Sequence, residues 1–154
     1  MALRAKKPEA VEKRLKLFLY GPAKIGKTTG VIQFPKAYVI DTEKGAENKS
    51  YVDMMNKSGS VLFQSSDFDE VMAEVTALAT DKHDYKTVVL DPITILYNNL
   101  LESSERKVGT MFGRHYGEAN KQMRRLVNIL LRLDMNVVVT SHQKAEYGPG
   151  LVKV

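Results

Sequence analysis

Short apolar runs alternate with longer amphipathic segments along this chain. Five runs are rich in Val, Ile, Leu and aromatic residues, and their length and composition predict buried strands. The predicted strands lie at residues 15–20, 37–41, 61–64, 86–91 and 136–141.

The amphipathic segments between these runs predict helices. In residues 67–80 the apolar side chains recur at helical spacing, and Asp67 with Glu70 suits an N-terminal cap. A helix that begins at Gly26 should end before Pro35, because proline disfavours helical backbone at the preceding residue. Two further helices are predicted at residues 92–105 and 118–133, whereas loops are predicted at 42–60, with a short helix near 51–56, and at 109–117.

Strands that alternate with helices indicate a parallel sheet that is covered on both faces. We therefore expect a three-layer α/β fold with a central, mainly parallel sheet of about five strands. Residues 1–14 form a basic N-terminal segment in this prediction, and residues 15–154 form the core. The abrupt ending at Val154 is consistent with a core that is incomplete at its C-terminus.

Composition excludes several classes of protein. A chain of 154 residues with 44% hydrophobic and 27% charged residues is typical of one soluble globular domain. No apolar run approaches the roughly 20 residues of a membrane span, and the N-terminus lacks the apolar stretch of a signal peptide. The chain has no Cys and three His without zinc-ligand spacing, which leaves no disulfide framework and suits a cytoplasmic protein.

The net charge of +5 is concentrated in two segments. Residues 1–16 carry six basic and two acidic side chains, and residues 103–125 carry the same numbers, so the remainder is mildly acidic. A polyanionic partner would account for this distribution. A solvated tail together with a solvated helix face would account for it equally well on charge alone.

A glycine-rich motif follows the first predicted strand and matches G-x-x-x-x-G-K-[ST], the phosphate-binding loop. Its backbone N–H groups can surround phosphates, Lys27 can reach the β- and γ-phosphates, and Thr28 can offer a hydroxyl to Mg²⁺. A glycine-rich surface turn is the alternative, but the position between strand and helix favours nucleotide binding. The candidate nucleotide-binding residues are Gly21, Pro22, Ala23, Lys24, Ile25, Gly26, Lys27, Thr28 and Thr29.

Three polar residues follow other predicted strands. Asp91 ends an apolar strand and is a candidate Mg²⁺ ligand opposite Thr28, although many buried strands end in Asp. Glu43 could polarise the water that attacks the γ-phosphate, or it is a solvated loop acid. If strand 136–141 lies between those of the phosphate loop and Asp91, His142 faces the γ-phosphate and could sense it; an ordinary hydrogen-bonded histidine is the alternative.

Cations, aromatic rings and glycines are mixed in residues 106–116. Cations can follow a phosphate backbone, and aromatic rings can stack on unpaired bases. A second such loop follows His142. Mobile loops with a few buried anchors are the alternative. The candidate nucleic-acid contacts are Arg106, Lys107, Arg114, Tyr116 and, in the second loop, Lys144.

The order of these motifs resembles the RecA-like ATPase core of the P-loop NTPases. It is more closely similar to the compact phage-encoded relatives of RecA, the Sak-type single-strand annealing ATPases, over roughly residues 10–150. The residues that carry the resemblance are Leu19-Tyr20-Gly21-Pro22, Phe34-Pro35-Lys36, Ile40-Asp41-Thr42-Glu43 and Met123-Arg124-Arg125-Leu126 leading to Thr140-Ser141-His142.

The resemblance implies an ATPase that uses ATP and Mg²⁺, with Lys27, Glu43 and His142 as catalytic residues. It implies a role in single-stranded DNA annealing or homologous recombination, with DNA stimulation of the ATPase. It also implies a homo-oligomeric filament or ring, a single-strand binding protein as a further partner, and the host cytoplasm as location. RecA itself has asparagine and glutamine where this chain has Ser141 and His142, so coupling to DNA can differ.

Two other functions remain open on the sequence. A small-molecule kinase uses the same phosphate loop, although the chain shows no arginine-rich lid and no separate acceptor-binding segment. A nucleotide-gated assembly protein, with no role for DNA, is the second.

Overall fold

Five parallel strands form the central sheet of the computed structural model, which describes residues 2–22, 26–142, 147–148 and 152–153. The strand order is β1-β5-β4-β2-β3. Two further short strands, β6 (Tyr147–Gly148) and β7 (Val152–Lys153), pair with each other in antiparallel fashion. The strands of the central sheet are β1 (Lys16–Gly21), β2 (Ala37–Asp41), β3 (Val61–Gln64), β4 (Thr87–Asp91) and β5 (Asn136–His142).

The helices connect these strands, and polar side chains fix where two of them begin. Asp67 accepts a hydrogen bond from Glu70 N at the start of α3, as the sequence predicted, and Asn48 accepts one from Tyr51 N at the start of α2. Short 3₁₀ turns lie at Gly45–Glu47 and Met111–Gly113. The helices are α1 (Lys27–Val31), α2 (Lys49–Ser58), α3 (Phe68–Thr80), α4 (Ile93–Val108) and α5 (Arg114–Arg132).

Apolar side chains pack on both faces of the sheet, because successive strand residues point in opposite directions. Val88, Leu90 and Val137 belong to a core that contains residues of α3, α4 and α5. Val89 and Val138 belong to a second core with residues of α1 and α2. The chain is therefore a three-layer α/β protein, and the predicted fold class is confirmed.

Two predicted loops are wrong in part. Residues 49–58 form a full helix rather than a short helical stretch, and Tyr51 and Met55 are the side chains that pack it against the sheet. Residues 114–117 are the first turn of α5 rather than loop. This turn lacks an apolar pattern; contacts with α4 just beyond it stabilise it, including the hydrogen bond of Tyr97 OH to Asn120 Oδ1 at 2.8 Å.

The basic N-terminal segment leads into β1 without forming a helix or a strand between residues 2 and 15. Arg14 Nε donates to Asp134 Oδ1 at 2.9 Å. Lys16 Nζ donates to the carbonyl oxygens of Leu130, Leu133 and Met135, at and just beyond the C-terminal end of α5. None of the helices described has both the length and the apolar character that crossing a membrane requires.

Candidate functional site

The polar residues that follow the strands lie at one edge of the sheet, because parallel strands present their carboxyl ends on the same side. Gly21 is in register with His142, and Asp41 is in register with Asp91. Strand β5 lies between β1 and β4. The condition on which the sensing role of His142 depends is therefore met: its strand separates the phosphate-loop strand from the Asp91 strand.

Asp91 is held through both oxygens of its carboxylate. Thr28 Oγ1 donates to Asp91 Oδ2 at 2.8 Å, and Thr140 Oγ1 donates a short hydrogen bond to Asp91 Oδ1. Asp91 and Thr140 are buried. Carboxylate oxygens bind Mg²⁺, which keeps several waters and takes few protein ligands. The adjacent oxygens of Thr28 and Asp91 therefore fit the metal that the sequence predicts.

In the described part of the phosphate loop, backbone carbonyl groups bind the side chain of Lys27. Lys27 Nζ donates to the carbonyl oxygens of Gly21 at 2.9 Å and Pro22 at 2.6 Å. Gly26 has a φ of +90°, a left-handed backbone that glycine adopts without strain. The predicted residues Ala23, Lys24 and Ile25 lie outside the described residues. The ammonium group of Lys27 is thus hydrogen-bonded to uncharged carbonyl groups, close to the loop that would surround the phosphates.

Glu43 and His142 are brought into contact, which the sequence did not predict. His142 Nε2 lies 2.9 Å from Glu43 Oε2, and the two side chains are 28% and 41% exposed, respectively. The backbone of His142 is tied to α4, because its N–H donates to Thr94 Oγ1 at 2.8 Å. The carboxylate of Glu43 therefore has a defined partner at the end of β5.

Asp41 shapes the turn that carries Glu43. Its carboxylate is buried and accepts hydrogen bonds from Glu43 N at 3.3 Å, Ala46 N at 3.0 Å and Gln64 Nε2 at 3.3 Å. Thr42 N donates to Asp91 O at 3.1 Å. The turn after β2 is thus attached to the ends of both β3 and β4.

Several residues of the site were not assigned by sequence reasoning. The hydroxyl of Thr29, in the phosphate loop, lies 3.2 Å from Tyr51 OH, which belongs to helix α2. The signal that could have found Asp41 and Thr140 was the one used for Asp91, a polar residue at the end of a buried strand. The unassigned residues are Asp41, Thr42, Tyr51, Thr94 and Thr140.

The candidate nucleic-acid residues lie at one end of the α4–α5 pair rather than on a loop, which corrects the prediction. Arg106 and Lys107 are in the last turn of α4, while Arg114 and Tyr116 are in the first turn of α5, and all four are exposed. Lys107 Nζ lies 2.9 Å from Glu118 Oε1. Lys144 lies outside the described residues.

A comparison with models of protein families matches most of this chain. A family model described as an AAA domain (AAA_24) matches residues 13–148, which include all five strands of the central sheet. A comparison with curated proteins gave no match.

Proposed function

The chain belongs to this AAA domain family of P-loop ATPases, and from that premise we propose that it hydrolyses ATP to promote single-stranded DNA annealing or homologous recombination. One observation carries the ATPase part of the proposal. Thr28 and Asp91 lie 63 positions apart in the sequence, yet their side chains are 2.8 Å apart at the mouth of the phosphate loop. A hydroxyl beside a carboxylate supports the assignment of these two residues as Mg²⁺ ligands, since phosphate-loop ATPases hold their metal with such groups.

The nucleotide is held by the phosphate loop in this proposal. Backbone N–H groups of the phosphate loop surround the phosphates, and Lys27 exchanges the carbonyl oxygens of Gly21 and Pro22 for β- and γ-phosphate oxygens. Thr28 and Asp91 are the residues that would hold Mg²⁺, which when bound neutralises charge on the phosphates. Thr140 keeps the Asp91 carboxylate oriented through its hydrogen bond.

Hydrolysis requires a group that orients the attacking water, and Glu43 is our candidate. Asp41 fixes the backbone of Glu43, and His142 contacts its carboxylate. We assign His142 as the residue that senses the γ-phosphate. A change of partner by His142 would free the Glu43 carboxylate for water, so that turnover would depend on which group His142 contacts.

The DNA part of the proposal is supported by the resemblance to Sak-type annealing ATPases and by the cations at the end of the α4–α5 pair. Arg106, Arg114 and Tyr116 are exposed there and can contact a polyanion. A filament or ring of identical subunits, a single-strand binding protein as partner, a phage origin and action in the host cytoplasm belong to the same proposal.

The test is ATP turnover measured with and without single-stranded DNA. The wild type should be stimulated by DNA, and Lys27→Ala should lose turnover under both conditions, because the charge on the transferring phosphoryl group is no longer neutralised. Lys82→Ala is the matched control. It removes an exposed lysine between α3 and β4, away from the carboxyl ends of the strands, and should behave as wild type.

The outcomes separate the candidate functions. If DNA changes neither turnover nor nucleotide affinity, the recombination role is wrong and the ATPase remains. Phosphate transfer to a metabolite would indicate a small-molecule kinase. Assembly that depends on ATP but is indifferent to DNA would indicate a nucleotide-gated assembly protein. Wild-type protein that fails to turn over ATP would contradict the proposal as a whole.

A further inference from the structure

Phe112 has an unusual backbone conformation at the connection between α4 and α5. Its φ is +54°, in the left-handed region that bulky side chains rarely adopt. The flanking glycines, Gly109 with a φ of +77° and Gly113 with a φ of +70°, are residues that adopt positive φ readily. A third glycine or an asparagine would suit position 112 better than phenylalanine does.

Packing within the chain does not explain the phenylalanine. Phe112 is 93% exposed, and the neighbouring Met111 is exposed as well. Burial of the ring therefore contributes almost no stabilisation that could offset the unfavourable backbone conformation. Strained residues of this kind occur preferentially where a protein contacts a ligand. An aromatic ring held out into solvent on a strained turn is thus a candidate contact for a partner.

The surroundings of Phe112 indicate the chemistry of that partner. We define the α4–α5 tip as residues 106–116. It carries the exposed cations Arg106, Lys107 and Arg114 and a second exposed ring, Tyr116, whose ring centroid lies 4.1 Å from that of His115. Cations beside exposed rings suit a single-stranded polynucleotide, since phosphates pair with the cations and unpaired bases stack on the rings.

Contacts outside the tip hold it in place. Glu118 accepts hydrogen bonds from Lys107 Nζ at 2.9 Å and Gln122 Nε2 at 3.1 Å, which joins the end of α4 to the second turn of α5. Asn99 Nδ2 donates to Ser66 O at 3.2 Å, so α4 also contacts the segment that follows β3. Phe112 is therefore presented from two attached helices rather than from a long loop.

We propose that Phe112 stacks on an unpaired base of a single-stranded DNA bound at the α4–α5 tip. This inference rests on the DNA part of the proposed function and adds a specific residue and a specific contact to it. The cations of the α4–α5 tip attract the phosphates whatever the bases are. Phe112 stacks only on an accessible base, so it favours single-stranded DNA over other polyanions.

The chain contains no tryptophan, so Phe112→Trp introduces the only indole. Stacking on a base should quench its fluorescence when oligo(dT) is added. Leu131→Trp is the matched control, because Leu131 is an exposed residue near the other end of α5 and should show no quenching. An abasic oligonucleotide of equal length supplies the phosphates without the bases and should bind Phe112→Trp without quenching it.

A second variant tests the energetic role of the ring. Phe112→Gly removes the ring and relieves the backbone, so its Tm should be equal to or above that of wild type. Its affinity for oligo(dT) should fall at least about fivefold, as expected when one base no longer stacks. The dependence of affinity on salt should keep its slope, since every cation that faces a phosphate is still present.

Three results would overturn the inference. Wild type that binds oligo(dT) while Phe112→Gly binds equally well would remove Phe112 from the interface and leave the DNA role intact. Wild type that does not bind oligo(dT) would end both the inference and the DNA role. A fluorescence blue shift of Phe112→Trp with phosphatidylserine vesicles, without quenching by oligo(dT), would assign the tip to an anionic membrane surface instead.

Discussion

Nε2 of His142 lies 2.9 Å from Oε2 of Glu43, although β4 separates the strands that carry these two residues. The pair therefore bridges the end of β4, where Asp91 is located. If His142 senses the γ-phosphate and Glu43 orients the attacking water, this contact would let the sensing residue act directly on the Glu43 carboxylate.

Glu43→Gln should abolish hydrolysis while preserving nucleotide binding. An amide keeps the size of the side chain but cannot accept a proton, and such a change typically lowers turnover by about 10²–10⁴. Phosphate release and the binding of a fluorescent ATP analogue measure the two properties separately. Glu47→Gln, which changes an exposed acid in the adjacent 3₁₀ turn, is the control. A Glu43→Gln enzyme with normal turnover would remove Glu43 from its proposed role.

His142→Ala should reduce the response of turnover to DNA, because the Glu43 carboxylate is then no longer tied to β5. We expect the ratio of turnover with DNA to turnover without DNA to fall toward one. His142→Gln can still donate a hydrogen bond to Glu43 and should restore part of the response. If the ratio in His142→Ala equals that of wild type, His142 does not transmit the state of the γ-phosphate.

Thr140→Val should weaken both the fold and the metal site, because one oxygen of the buried Asp91 carboxylate loses its donor. Removing one partner of a buried group costs about 1–3 kcal/mol of unfolding free energy. Urea denaturation measures this cost. A higher Mg²⁺ concentration for half-maximal turnover is expected as well. Thr140→Ser keeps the hydroxyl and should restore the Mg²⁺ response; a normal response in Thr140→Val would leave Thr140 a purely structural role.

Lys107→Met should raise the pKa of Glu118. The hydrogen bond from Lys107, followed by that from Gln122, lowers the pKa of Glu118 below its ordinary value of 4.5. A carboxyl group with a lowered pKa in the folded state stabilises the fold above its ordinary pKa, and this contribution is lost as the pH falls through the folded pKa. The stability difference between wild type and variant should therefore be present at neutral pH and disappear below 4.5. Carboxyl NMR titration gives the pKa directly, and equal values in the two proteins would contradict the assignment.

Replacement of Arg106, Lys107 and Arg114 together by alanine should weaken single-stranded DNA binding and flatten its dependence on salt. Fewer counterions are released when fewer cations pair with phosphates, and the slope should change by about 0.7 for each phosphate that no longer has a cation beside it. Fluorescence anisotropy at several salt concentrations measures this slope. A control variant removes the same charge from exposed positions outside the tip and should keep the salt dependence of wild type. Its substitutions are Lys49→Ala, Lys57→Ala and Lys82→Ala.

Strands β2 and β4 were predictable because nearly all of their side chains are buried, and they therefore appear as nearly continuous apolar runs. The strands at 37–41 and 61–64 were predicted with the bounds that the structure has. Helix α2 was predicted only as a short helix near 51–56, since its packing depends on few apolar side chains and its surface is mostly polar. Asn48 caps the start of this helix, but the prediction included Asn48 in the loop before it.

The candidate site was predictable wherever one motif defines a position, as for Thr28 and Asp91. The contact of Glu43 with His142 was not, because it depends on the order of the strands, and local patterns contain no information on that order. Asp41 and Thr140 were overlooked for a related reason. Both carry the signal of a polar residue near the end of a buried strand, but the groups that they bind, Glu43 N and the Asp91 carboxylate, are evident only once the strands are assembled.

The position of β5 links the phosphate-loop strand to the order in which the chain is synthesised. The strand that leaves the ribosome last among the five is the one that joins β1 to the rest of the sheet. A nascent chain that has not yet exposed residues 136–142 therefore holds its phosphate loop on a strand without a neighbour, and it should be unable to retain ATP. Emergence of β5 from the ribosome would then precede nucleotide binding, and a chain that stops before Asn136 should fail to bind ATP.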